Sequence, residues 1–210
     1  MGKLNIAPTK SNLLELKRQL TFAEEGYDLL EQKRQILIFE MMSRLTRARD
    51  AEQNVAEALR KAFAALHEAQ LDSGSEVIDK TALAVQMDHQ IDISDQHLMG
   101  MKIPHITVRT EPVNAQFGVG GTLANTDVAM SRFVEVLPLL AELAELENTV
   151  MRLARELRKT QRRCNALSKT FMPTYRETIT YITGALEERE RESFVILKMI
   201  RDRLSQSPSE

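Results

Sequence analysis

The sequence holds no tryptophan and a single cysteine, and aromatic residues make up only 5% of it. Each shortage excludes something. One cysteine, Cys164, cannot close a disulfide within the chain and suits a reducing compartment. So few aromatics fit a thin seam between two helices better than a thick core. No apolar run reaches the roughly 20 residues that span a bilayer. Met1 to Pro8 lacks the apolar centre of a signal peptide. Direct membrane insertion is therefore not expected. The expected place is cytoplasmic, or peripheral on a membrane through partners. A formal charge of −2 gives no indication of nucleic acid. No nucleophile–base pair, ligand cluster or complete phosphate loop stands out, so no catalytic residue, cofactor or metal is assigned.

What the chain does have is helix-forming composition and a long-range period. It is 43% hydrophobic and 28% charged, which is the balance of a folded, soluble chain. Leu13, Leu16, Leu20, Ala23, Tyr27, Leu30, Leu37 and Met41 follow one another at alternating steps of three and four, with Arg34 at the one polar step. Leu143, Leu146, Val150, Leu153, Leu157, Cys164, Leu167 and Phe171 do the same, with Thr160 at theirs. A spacing of 3.5 marks helices that wind around each other. The fold class expected is mainly α: a long antiparallel two-helix coiled-coil hairpin with a small central island.

Pro8-Thr9-Lys10-Ser11 reads as a helix start, and Asp72-Ser73-Gly74-Ser75 as its stop. The first helix, residues 1–71 with its lead, then measures on the order of 90 Å at ~1.5 Å per residue. The island occupies residues 72–125. It has room for a short helix over Glu76 to Met87. Two extended runs follow, His89 to His97 and Met101 to Arg109, joined by a turn at Leu98-Met99-Gly100. Pro104 makes the second run an edge or a bulged strand. Glu111 to Leu123, with Gly118 to Gly121, reads as a flexible loop. Residues 126–210 form the second long helix and a polar tail, with Pro138 and Pro173 inside the helix, where each removes a backbone hydrogen bond.

Placing Pro8 beside Leu204 sets the two helices in antiparallel registry. The seam of each slips by one residue, between Met41 and Leu45 and between Phe171 and Tyr175, and at that registry the slips face each other. Gly26 and Gly184 then share a level and allow close approach. Pro173 lies at the level of the slip. A bent or locally unwound segment is expected there.

Several other patterns have plainer readings than their chemistry suggests. His89 and His97 would share a face of a strand but lie too far apart to chelate one ion. Gly118-Val119-Gly120-Gly121-Thr122 lacks the Lys-Ser/Thr ending of a phosphate loop. Met41, Met42, Met87, Met99 and Met101 are adaptable packing, with Met99 and Met101 placed to face a partner. Cys164, on the seam, is a small buried hydrophobe rather than a reactive thiol.

Two segments carry more than periodicity. Pro8-Thr9-Lys10-Ser11-Asn12-Leu13-Leu14-Glu15-Leu16-Lys17-Arg18-Gln19-Leu20, continued by Ala23, Gly26, Leu30, Lys33 and Arg34, resembles the N-terminal helix of the D subunit of V-type and A-type rotary ATPases. Arg162-Arg163-Cys164-Asn165-Ala166-Leu167 looks like the C-terminal signature of the same protein family. That signature continues through Pro173, Thr178, Ile179, Tyr181 and Ile182 to Glu187-Glu188-Arg189-Glu190-Arg191-Glu192-Ser193-Phe194. Gly100 with Ile103-Pro104 resembles the family's central region. Cys164 takes a position where the family usually has a small branched apolar residue, and Ser168-Lys169 and Thr174-Tyr175 differ from the residues expected around the family's proline.

The resemblance implies a non-catalytic rotor shaft. Its terminal helices would enter the hexamer of catalytic A and B subunits. Its island would sit near the funnel subunit above the membrane ring, and the small F subunit of the stalk would lie alongside. Contact with the hexamer or stalk is expected from Lys17, Arg18, Arg162, Arg163, Asn165, Glu187 and Arg189. The expected function is transmission of torque between an ion-driven ring and ATP synthesis or hydrolysis. A charged outer face suits this, because weak exposed pairs can break and re-form. Glu187 to Glu192, alternating in sign, would support itself through i,i+4 pairs. The competing readings are a non-rotary coiled-coil adaptor or tether and a small hydrolase using the island's histidines.

Overall fold

The computed structural model describes residue 2 and residues 4–85, 89–110 and 122–206, without the side chains of 205 and 206. Helix α1 runs over Lys10–Ser73 and α2 over Ser75–Ala84. Strands β1 (Gln90–Leu98) and β2 (Met101–Arg109) follow. Helix α3 spans Ala124–Ala166, a π-helical turn spans Leu167–Phe171, and α4 spans Met172–Gln206. The fold is mainly α with one small antiparallel sheet, as the periodicity predicts. The Gly118–Gly121 segment lies outside the described residues.

Local chemistry sets the boundaries. Thr9 caps α1: its Oγ1 accepts the Asn12 N–H at 3.2 Å. Gly74 ends the helix with φ 81 and ψ 147, a conformation open to glycine and costly for other residues. The chain divides into two compact units, residues 1–36 with 157–210, and residues 37–156.

In the first unit the start of α1 runs antiparallel to the end of α3 and to α4. Leu16, Ala23, Cys164 and Ile182 are buried there, with Thr160 and Thr178. Lys10 pairs with Glu190 at 2.9 Å, Glu24 with Arg176 at 2.7 Å, and Arg34 Nη1 donates to Gln161 at 3.0 Å. These partners correct the registry expected from the sequence, which would set Glu24 against Glu188. Against that registry the helices are displaced by about three turns at Lys10 and Glu24 and by nearly five at Arg34. The seams carry matching steps over many turns, so a slip of a few turns still leaves apolar residues facing apolar residues, and polar pairs decide between the alternatives. Gly26 and Gly184 consequently do not face each other. A Cβ built on either would meet nothing within 4 Å.

The slip in the second seam is real, and it takes the form of the π turn. The Met172 N–H reaches back five residues to the Leu167 carbonyl. Pro173 follows at once. A proline there has no N–H to give and would press its ring on the carbonyl four residues earlier; a wider turn relieves both problems. Beyond the turn the buried positions resume at Thr178 and Ile182. The turn leaves Phe171 47% exposed rather than on the seam. With Arg176 beside Glu24, this slip falls near the level of Glu25 to Leu29, so it does not face Met41 and Leu45.

In the second unit the remainder of α1 presents small residues. Ala48, Ala51, Val55, Ala62 and Ala69 are buried, and α3 contributes Ala129, Val136, Leu146 and Leu153. Ala48, Ala51 and Leu146 form one cluster, with Leu143 packed against it. Phe63 and Phe133 meet edge to face at 5.4 Å. The turn of the β-hairpin is Met99-Gly100, with φ 51 and 77. Two positive φ values make the twist that joins strands through two residues.

Candidate functional site

The residues expected to meet partners lie in the first unit, and the structure does not gather them. Lys17 and Arg18 are exposed on α1; Arg162 and Arg163 are exposed on α3, just ahead of the buried Cys164. Among the described residues none of these four side chains has an ion-pair partner. Arg34, which marks the level of Gln161, is separated from Arg18 by roughly 24 Å of helix at ~1.5 Å per residue. The basic residues therefore form two separate spots.

Asn165, Glu187 and Arg189 differ from those four. The Asn165 side-chain oxygen accepts from Gln161 Nε2 at 3.2 Å. Gln161 in turn accepts from Arg34, and Arg34 is clamped by the carboxylate of Glu31. Hydrogen bonding to Glu31 raises the Arg34 pKa above its ordinary value. This network fills the polar step of the seam. Arg189 donates to the Pro8 carbonyl at 3.1 Å, so part of its hydrogen-bonding capacity serves its own chain. Glu187 is exposed. The i,i+4 pairs expected along Glu187 to Glu192 are replaced by Arg191 with Glu188, three residues apart at 3.8 Å, and by Glu190 with Lys10. A hydrogen bond from Lys10 to Glu190, with the charge attraction, raises the lysine pKa.

Gly26 and the π turn that precedes Pro173 take part in one feature. A groove of about 430 Å³ beside the π turn is lined by Arg18, Phe22, Gly26, Leu167, Phe171 and Tyr175, among others. Its walls are mostly apolar, and Phe22 is 77% exposed. Gly26 leaves room in the groove instead of closing a helix contact.

Sequence reasoning missed two features. The first is the strap ahead of α1. The Leu4 N–H donates to Thr178 Oγ1 at 3.1 Å, and Thr178 donates on to the Thr174 carbonyl at 2.7 Å. With Arg189 holding Pro8, residues 4–8 lie back along α4. The second is the end of α4. Phe194, Val195, Ile196, Leu197, Met199, Ile200 and Leu204 are all about half exposed or more. They lie on every side of the helix, interrupted by Lys198, Arg201, Asp202 and Arg203, so the unbroken apolar stretch is Phe194 to Leu197, and a stretch apolar on all sides is one that something covers. The run Phe194-Val195-Ile196-Leu197 was the available signal, because it breaks the heptad.

No group of three or more His, Cys, Asp or Glu among the described residues is placed to hold a metal ion. Burial raises the Cys164 thiol above its usual pKa, the opposite of activation. No described helix is long and apolar enough to cross a membrane.

Comparison with known proteins agrees with the resemblance carried by the two terminal segments. The family model of the ATP synthase D subunit matches residues 12–202. The D subunit of an A-type ATP synthase from Methanosphaera stadtmanae is 37% identical over 204 residues, covering 96% of this chain and 95% of that one. The D subunit of a V-type ATP synthase from Thermotoga neapolitana is 34% identical over 202 residues, covering 96% of this chain and 100% of its own. The D subunit of an A-type ATP synthase from Pyrococcus furiosus is 35% identical over 201 residues, with 94% of each chain covered. The chain belongs to the family of ATP synthase D subunits.

Proposed function

We infer that this chain is the central-stalk component of a rotary ATP synthase, a part of the complex rather than its catalytic subunit. The observation that carries the reading is the family match, continuous from residue 12 to residue 202. It covers both long helices and the hairpin between them.

The geometry suggests how such a stalk would work. The apolar end of α4 calls for a sleeve, and a hexamer of catalytic A and B subunits would provide one. Arg162 and Arg163, exposed and without ion-pair partners among the described residues, would meet acidic loops of that hexamer, as would Lys17 and Arg18. Pairs of this kind hold only about 0–1 kcal/mol each when exposed. They can therefore be exchanged as the stalk turns. Torque transmission requires the stalk to favour a different state of each catalytic site in each orientation. The unequal faces of the first unit meet that need: a groove at the π turn, a basic spot at Arg162, and a strap along α4. The small F subunit would lie against the stalk. The funnel subunit above the membrane ring would take the unit that carries the hairpin. The chain would then be peripheral to the membrane, held there through its partners.

The test is reconstitution. Purified chain mixed with catalytic A and B subunits is expected to enter the complex in one copy and to raise its ATPase activity. A chain that stays outside the hexamer and leaves its activity unchanged would overturn the reading.

A further inference from the structure

The two edges of the small sheet are treated differently. β1 pairs with β2 in an unbroken antiparallel register from Gln90↔Arg109 to Leu98↔Met101. In such a ladder, residues alternate between those that bond the partner strand and those that turn N–H and C=O away from it. Which set is which follows from α3. The Ile106 N–H donates to Glu145 Oε2 at 2.9 Å, and Arg152 donates to the Lys102 carbonyl. Lys102, Pro104, Ile106 and Val108 are therefore the outward set of β2. Pro104 belongs to it, so its missing N–H costs no ladder bond. Helix α3 thus satisfies the outer edge of β2 with side chains, and Ile103 is buried beneath.

The register carries the same alternation to β1. Ile91, Ile93, Asp95 and His97 are the partners of the outward set, so their N–H and C=O groups line the free edge. Among the described residues nothing in the chain meets these groups. The strand is nine residues long and has no proline, lysine or bulge, so of the usual protections of an open edge it keeps only the charges of Asp92 and Asp95. Ile91 is 61% exposed and Ile93 70%. Both sit on one face of the edge.

We propose that the free edge of β1 is a docking site for an extended, basic segment of a neighbouring subunit, which adds to the sheet as a third strand. Backbone hydrogen bonds from Ile91, Ile93, Asp95 and His97 supply the ladder, and apolar side chains of the incoming strand cover Ile91 and Ile93. The charge of the edge selects the occupant. β1 carries Asp92 and Asp95 and no lysine or arginine. Asp92 leans toward Arg109, at 3.7 Å, while Asp95 has no ion-pair partner among the described residues. A second copy of β1 is a poor occupant. The antiparallel register that sets Ile91 against Ile93 of the other copy, both ways, also sets Asp92 against Asp92, and like charges directly opposite are unfavourable. A strand with lysine or arginine between β-branched residues has no such conflict.

The inference rests on the chain being part of the ATP synthase, and hydrogen exchange measured in the free chain and in the assembled complex separates the two claims. In the free chain, the amides of Ile91, Ile93, Asp95 and His97 exchange fast, while those of Asp92, Ser94 and Gln96, bonded to β2, are protected. In the complex the fast set is expected to slow at least about tenfold. Ile93→Pro removes an outward N–H without touching the ladder, so it keeps the hairpin's own protection and loses the added protection. Asp95→Lys reduces it too. Outward amides that exchange equally fast in both states overturn the docking site. Slowing that persists in Ile93→Pro does the same. A chain that never enters the complex overturns the stalk assignment, and this partner with it.

Discussion

Cys164 shows how little chemistry a conspicuous residue can carry. It is 2% exposed on the seam, and burial disfavours its thiolate. Folding therefore holds the thiol proton more tightly than the unfolded chain does. The stability linked to this group is full below the ordinary thiol range of about pH 8.5 and is lost as pH rises above it. Chemical denaturation across that range is expected to show a decline that Cys164→Ala lacks, and alkylation of the folded chain is expected to be slow. Met99 presents the opposite case, a residue in a conformation that does not suit it. At φ 51 a methionine costs roughly 1–2 kcal/mol that asparagine or glycine largely avoids. Met99→Gly should therefore slow exchange of the Asp92, Ser94 and Gln96 amides, the mark of a firmer hairpin.

Among the elements, the hairpin is held to α3 by Arg152 at the Lys102 carbonyl and by one carboxylate at its middle. Glu145 Oε2 accepts from both His105 Nδ1, at 2.9 Å, and the Ile106 N–H. Glu145→Ala should loosen β2 from α3, raising exchange at Ile106 about tenfold or more with little change in helix content. The helices depend on fully buried leucines instead. Leu153, 0% exposed, is expected to cost about 2–5 kcal/mol when changed to alanine, measured by denaturant unfolding. These elements were legible in the sequence to different degrees. The long helices, the hairpin and its turn follow from period, caps and alternation. The slip near Pro173 was visible as a break in phase, but a π turn is a hydrogen-bond pattern and leaves no side-chain signature of its own. The registry was not legible: heptads repeat, so Glu24 can be set against Glu188 or Arg176 with similar apolar overlap, and only the pairs at Lys10, Glu24 and Arg34 distinguish them. The exposure of the residues proposed for contact was half legible. Arg162 and Arg163 are exposed as a contact needs, whereas Asn165 and Arg189 are engaged within the chain, through partners distant in sequence.

At the scale of the whole molecule, the chain is a member of the family of ATP synthase D subunits that leaves much apolar surface uncovered. Phe22, Phe39 and Phe194 are more than two-thirds exposed, and so are Leu71, Leu83 and Leu204. Scattered singly, such residues are ordinary; the run Phe194 to Leu197 in α4 is contiguous, and a patch of that kind marks a surface that a partner completes. The paired change Arg162→Ala with Arg163→Ala is expected to leave unfolding within about 0.5 kcal/mol of the original while lowering the ATPase activity of the reconstituted complex several-fold, an effect read on activity and not on stability. Rotation is the most direct measurement of all. With the catalytic hexamer fixed to a surface and a bead attached through a cysteine placed at the exposed tip of the β-hairpin, addition of ATP is predicted to turn the bead continuously in one direction. A bead that stays still while the same complexes hydrolyse ATP would contradict the central claim.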